Sequence, residues 1–161
     1  MTDVVELAGR LSPREGWNAD RCSIAKALGV VGTRSTLLIL REAAYGTTRF
    51  DDFAGRVGLS EPVVAARLRE LVHEGLLERE PYREPGQRTR HRYRLTDKGI
   101  DLLPVLVALM QWGDRWAADD GGPVELRHAG CGERVHAELR CAAGHPAPPG
   151  ELELHARRRR R

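Results

Sequence analysis

Between about residue 22 and residue 116 the apolar positions change period in a readable order, from helical spacing to alternation and back to helical spacing. Residues 22–31 read as a short helix with Ile24, Ala27 and Leu28 on one side, stopped around Gly29 to Gly32. A second helix is expected from Arg34 to Tyr45, where Leu37, Leu40, Arg41 and Ala44 fall at helical spacing and Gly46 stands just past the end. Phe50, Phe53 and Val57 mark a short third helix. Asp51 and Asp52 complement its positive N-terminus, and Gly58 breaks it.

Ser60 is suited to cap the next helix, and Pro62 falls in the first turn, where its missing N–H has no helical partner anyway. Across Glu61 to Glu74, Val64, Leu68, Leu71 and Val72 form one stripe, and Gly75 ends the helix. Two short helices joined by a tight glycine-containing turn make a helix-turn-helix. Leu76 to Tyr82 and Arg90 to Leu95 then read as strands around a Pro85-Gly86 turn, so a hairpin, or wing, follows directly. Thr96 caps a long helix through Trp116, with Pro104 kinking it or marking its first turn. Its Ile100, Leu103, Leu106, Val107, Leu109, Met110 and Trp112 offer more apolar surface than one small domain can hide, which calls for a partner chain. The expected fold is mainly α with a small β-hairpin (α+β): a winged helix-turn-helix with a long C-terminal dimerisation helix.

At 161 residues the chain suits one domain with extensions. Composition shifts near Trp17 to Cys22 and at Asp119 to Pro123 divide it into an N-terminal extension (1–21), the winged helix (22–119) and a tail (120–161), with no internal repeat apparent. Scattered charge at the start leaves no run suited to a secretion signal or membrane span, so the expected location is cytoplasmic, with no membrane partner. Three cysteines, Cys22, Cys131 and Cys141, do not make a disulfide framework. The net charge of +3 is owed to Arg157 to Arg161, without which the chain carries −2. Charge collects instead between Tyr82 and Arg94, where Arg83, Arg88, Arg90, Arg92 and Arg94 face only Glu84. That ribbon falls on the wing, where DNA phosphates would lie, although charge runs are commonly just solvated faces.

The segments CSIAKALGVVGTRSTLLILREAAYG, TTRFDDFAGRVGLS, RLRELVHEGLLERE, YRLTDKG and LLPVLVALMQWG resemble the HxlR-type winged-helix regulators, relatives of the MarR group, from Cys22 to about Trp116. The resemblance implies a homodimer built on the first and last helices of the domain. It also implies binding to a pseudo-palindromic operator in double-stranded DNA, as a repressor of nearby genes. A winged helix that binds protein instead of DNA is the alternative.

With Val64 at the centre of the buried stripe, the opposite face of its helix carries Pro62, Val63, Ala66, Arg69 and His73, with Arg67 on the flank. Val63 and Ala66 suit thymine methyls, Glu61 a cytosine amino group, and Arg67 guanine or phosphate. Relatives often carry an Arg and a Gln or Ser near positions 62, 65 and 66, where this chain has Pro62, Ala65 and Ala66, so shape readout gains weight. Arg88 is placed to reach a minor groove, and Arg90, Arg92 and Ser60 to hold phosphates. For Arg67 and Arg69 the competing fate is a surface ion pair with Glu70 or Glu74.

Cys22, at the start of the first helix beside Arg21, is a candidate redox sensor because the helix dipole and the cation favour a thiolate; a packed thiol at a dimer seam is the plainer reading. Some relatives sense quinones, aldehydes or oxidants with a cysteine here, so an oxidant or small-molecule effector is a further candidate partner. In the tail, His128-x2-Cys131 and Cys141-x3-His145 suit a tetrahedral zinc, with a Cys131 to Cys141 redox pair or no metal as alternatives. Gly144 stands where some relatives carry the last cysteine. The remainder, PAPPGELELHARRRRR, reads as a flexible end. No nucleophile constellation, phosphate loop or paired-acid motif points to an enzyme.

Overall fold

A computed structural model describes residues 4–11, 14, 18–83, 85–86 and 88–156; the polyarginine end, 157–161, lies outside the described residues. In chain order the elements are β1 (Glu6–Leu7), a 3-10 turn at Gly9–Leu11, α1 (Ser23–Val31), α2 (Arg34–Ala44), α3 (Phe50–Val57), α4 (Glu61–His73), β2 (Leu77–Tyr82), β3 (Arg90–Leu95), α5 (Asp97–Ile100), α6 (Leu103–Trp116) and β4 (Glu153–Leu154). They form two compact units, one of residues 21–125 and the other joining residues 1–20 to 126–161.

The core of the larger unit gathers where the sequence stripes meet. Ile39 and Leu40 of α2, Phe53 of α3, and Val64 and Leu68 of α4 are fully buried, with Val57, Leu71, Leu76 and Leu77 almost so. Each such side chain contributes about 1.5–3 kcal/mol by leaving water. Tyr93 of β3 sets its ring edge-on to Phe53, centroids 6.3 Å apart, and so seats the hairpin on α3. Beside this core the buried Glu42 carboxylate accepts from Arg41 at 2.6 Å and from the Thr47 hydroxyl at 3.2 Å, which in turn accepts from Arg56. That chain of bonds ties the end of α2 to α3.

Local chemistry sets the boundaries. The Thr33 side chain accepts from the Thr36 N–H and starts α2. Between α3 and α4 Gly58 adopts a left-handed conformation (φ 64°), which a residue with a Cβ adopts only under strain. Ser60 occupies the N-cap position of α4 without a side-chain capping bond, and Pro62 sits in the first turn.

One expectation for these helices changes. The single long helix to Trp116 is instead α5 and α6, and of the two roles open to Pro104 it takes the first turn of a new helix, where a residue without an N–H is tolerated. The apolar stripe of α1 stays at the surface of this chain: Ile24 and Leu28 are 72% and 59% exposed, and Val31 alone of the helix is buried.

In the smaller unit β1 and β4 pair in parallel, with the Glu6 N–H donating to Leu152 O and the Ala8 N–H to Leu154 O. The segment read as a flexible end therefore carries a strand, and the alternation of Glu151, Leu152, Glu153 and Leu154 is its sequence signal. Two tight hairpins precede it, bridged at Arg127 with Arg134 and at Arg140 with Pro146. They share a pattern, Leu-Arg-x-Ala at 126–129 and again at 139–142, and in each the arginine donates back to a glycine carbonyl, Arg127 to Gly132 and Arg140 to Gly144. The repeat is too short to stand out in the sequence.

Candidate nucleic-acid interface

Helix α4 presents two different faces. Val64, Leu68 and Leu71 are sunk in the core, whereas Ser60, Glu61, Val63 and Arg69 are exposed and Ala66 is half-buried. The outer face near the start of α4 is thus small and apolar, flanked by an acid, a hydroxyl and a cation. Arg67 behaves differently. Its guanidinium pairs with Glu70 one turn on, and its Nε is buried without a hydrogen-bond partner, so the ion-pair reading describes Arg67 in this structure.

The wing is a regular antiparallel pair in which Leu77 faces Leu95, Glu80 faces Arg92 and Tyr82 faces Arg90. That register sets the arginine edge of β3 opposite the acidic edge of β2. Counted over the whole hairpin, residues 77–95, six arginines meet three glutamates, so the ribbon carries +3 and is less basic than its tip suggests. Arg94 is ion-paired with Glu80 at 3.1 Å, and the Arg92 guanidinium stacks on the Tyr82 ring 4.4 Å from its centroid. Arg88 is exposed beside the turn, and Arg90 is half-exposed with a loose ion pair to Asp51 at 3.6 Å.

Arg49 belongs with these residues, although its position before α3 hid it from a reading that looked only at the wing. Its backbone bridges to Arg92, the neighbouring Thr48 O accepts from the Tyr93 N–H at 2.8 Å, and its guanidinium stands 5.5 Å from the Tyr82 centroid. The entry to α3 therefore runs as a short third strand beside β3. The signal available in the sequence was the pair of threonines, Thr47 and Thr48, just before it.

Residues 30–120 match the family model described as HxlR-like helix-turn-helix. The chain belongs to that family. It is similar to an uncharacterized HTH-type transcriptional regulator of Mycobacterium tuberculosis, 47% identical over 120 residues that cover 74% of this chain and 75% of the relative. An uncharacterized HTH-type regulator of Bacillus subtilis, YvaP, is 35% identical over 56% of this chain and 83% of its own length. Among solved structures, PA1607, a candidate transcription factor, superposes with TM-score 0.73 at 36% identity, covering 84% of this chain and 95% of its own. The redox regulator HypR in its oxidized form superposes with TM-score 0.53 at 26% identity, over 58% of this chain and 95% of its own. As an HxlR-like protein the chain is a DNA-binding transcriptional regulator of winged-helix, MarR-like fold, and not an enzyme. Among the described residues no single helix is long and apolar enough to cross a membrane.

The other predicted sites of this HxlR-like chain are less assembled. Cys22 stands at the N-cap of α1 as a half-buried free thiol with no capping bond from its side chain. In the first tail hairpin His128 Nδ1 lies 3.2 Å from Cys131 Sγ, an approach that needs Gly130, since a Cβ there would lie 2.8 Å from the imidazole. Cys141 and His145 are not brought to that pair: among the described residues no three His, Cys, Asp or Glu side chains converge as metal ligands, so the four-residue zinc arrangement is not formed. In the second hairpin Gly144 occupies the place that Cys131 holds in the first.

Proposed function

We propose that the protein binds a pseudo-palindromic operator as a homodimer, with the start of α4 in the major groove and the wing on the neighbouring backbone, and represses adjacent genes. The observation that carries this reading is the division of α4 and the wing into core-facing and outward-facing halves. Val64, Leu68 and Tyr93 anchor them, while Val63, Arg69, Arg88 and Arg90 stay at the surface. An exposed apolar side chain and few hydrogen-bonding groups at the start of α4 favour thymine-methyl contacts and readout of DNA shape over a rich pattern of base hydrogen bonds. Ser60, Glu61 and Ala66 complete the major-groove set, with Arg88 directed to the minor groove. Arg90 and Arg92 serve the backbone, and Arg67 contributes only after leaving Glu70.

Dimerisation is supported by the surface of α6 and α1. Leu103, Val105, Leu109, Trp112 and Trp116 of α6 are 43–65% exposed, and Ile24 and Leu28 of α1 are 72% and 59% exposed. Apolar side chains exposed to this extent on a helix are covered by a second copy in this reading, and two-fold symmetry then matches two half-sites about one helical turn apart. Cys22 at the N-cap of α1 is the proposed entry point for an oxidant or electrophile, because a change at its sulfur would act next to that surface. Selection of bound duplexes from a random pool tests the whole reading. It predicts an inverted repeat, and enrichment without sequence preference or symmetry contradicts it. Loss of binding on diamide treatment that Cys22→Ser abolishes supports the redox step, and equal loss in both proteins rejects it.

A further inference from the structure

A cavity of about 470 Å³ opens beside the turn end of the wing, between the start of α3 and the hairpin. Arg49, Arg88 and Arg90 line it together with Phe50, Tyr82 and the carboxylate of Asp51. We propose that this cavity is a phosphate site that takes a backbone phosphate of bound duplex on Arg49 and Arg90, while Arg88 at its edge turns to the adjacent minor groove, and that Asp51 is its built-in competitor. The inference rests on the DNA-binding reading and adds to it a ligand group, Arg49, and an opposing group, Asp51.

Three features converge on an anion. Three guanidiniums against one carboxylate leave the lining at +2, with His91 also at its edge. Guanidinium is the side chain best matched to a phosphate, since its planar donors meet two oxygens at once. Arg49 is also oriented, lying over the ring of Tyr82 beside Arg92, so less side-chain freedom is lost on binding.

Asp51 already supplies such a charge. Its Oδ2 lies 3.6 Å from Arg90 Nη1, too long for a strong hydrogen bond yet within ion-pair range, and its side chain is 80% exposed. Arg90 is therefore arranged around an anion before any duplex arrives. A phosphate entering the cavity exchanges with the carboxylate on Arg90 and then stands near a like charge. Every duplex meets that opposition, specific or not, so only an operator that adds contacts along α4 offsets it. Asp51 thus lowers affinity in order to keep sequence-independent binding weak.

Fluorescence anisotropy with a labelled 30-base-pair duplex, read from 50 to 200 mM salt on full-length variants with unchanged circular dichroism, tests this. Asp51→Asn is expected to bind about threefold more tightly, the scale of one like-charge repulsion through water. That gain should vanish when Arg90→Met is combined with it. Arg49→Met is expected to weaken binding about tenfold and to flatten the slope of log K against log salt by about 0.9, one phosphate's worth. Unchanged affinity and slope in Asp51→Asn and Arg49→Met, with the parent still binding duplex, overturn the site and leave the DNA-binding reading standing. A parent that does not bind duplex at low salt overturns both. Inorganic tripolyphosphate, titrated at constant ionic strength, separates the two sources of phosphate. Sub-millimolar binding that needs Arg49, with duplex affinity indifferent to Arg49, would assign the cavity to a free anion and overturn the duplex assignment.

Discussion

The guanidinium of Arg92 lies over the ring of Tyr82, its neighbour diagonally across the wing, at 4.4 Å from the ring centroid. Arg49 approaches the same ring at 5.5 Å, and its backbone bridges to Arg92. One tyrosine therefore orients two of the cations assigned to the DNA backbone. Replacing the ring releases both, whereas removing only its hydroxyl does not. Tyr82→Ala is expected to weaken duplex binding about threefold to tenfold, in line with the loss of one or two weak cation–ring contacts, and Tyr82→Phe to stay within twofold of the parent. Anisotropy at fixed salt measures both, and equal losses in the two variants would assign the tyrosine's contribution to its hydroxyl.

The outer face of α6 makes a prediction of the opposite kind, a change in assembly without a change in fold. Trp112 is 62% exposed and Leu109 48%, so a charge at Trp112 displaces little from this chain's own core. Trp112→Glu is expected to convert a dimer to a monomer in light scattering coupled to size exclusion, with its helical circular dichroism preserved. A parent protein that already runs as a monomer at micromolar concentration would rule out this face as the dimer seam.

Gly99 tests how the wing is joined to the helices behind it. An added Cβ would stand 2.3 Å from Leu76 O and 2.8 Å from Leu95 Cδ2, and a backbone carbonyl cannot step aside as a side-chain tip can. The same junction is tied by the Thr96 hydroxyl, which donates to Gly75 O at 2.6 Å and accepts from the Gly99 N–H at 3.2 Å. Gly99→Ala is expected to cost about 1–3 kcal/mol of stability in urea unfolding, the range for forcing extra atoms into a packed site. A variant as stable as the parent would show that α5 does not approach Leu76 and Leu95 this closely in solution.

Most of the winged helix was legible because its signals are local. Val64, Leu68 and Leu71 recur at helical spacing and are buried, and the strand Arg90 to Leu95 was found residue for residue. What escaped depends on which residues meet across the fold. The acids opposing the wing arginines, Glu78 and Glu80, lie outside the stretch in which charge was counted, and only the strand register sets them against Arg94 and Arg92. Arg49 lies more than forty positions from the Arg92 it bridges, and no periodicity links the two. For Arg67, pairing with Glu70 was one of several fates left open by its place on the flank of α4, and helical spacing alone does not select among them. Pairing of β1 with β4 joins segments near the start and the end of the described residues, which a local pattern does not reveal.

The account stands on α4 entering a groove while the wing holds the adjacent backbone. In a background of Cys22→Ser, Cys131→Ser and Cys141→Ser, an iron-chelate cleavage reagent attached at Val63→Cys or at Arg88→Cys reports where each element lies on a selected operator. The account predicts cuts from position 63 across the major groove of each half-site and cuts from position 88 in the neighbouring minor groove. Cleavage at the same sites from both positions, or none above that of reagent free in solution, would contradict it.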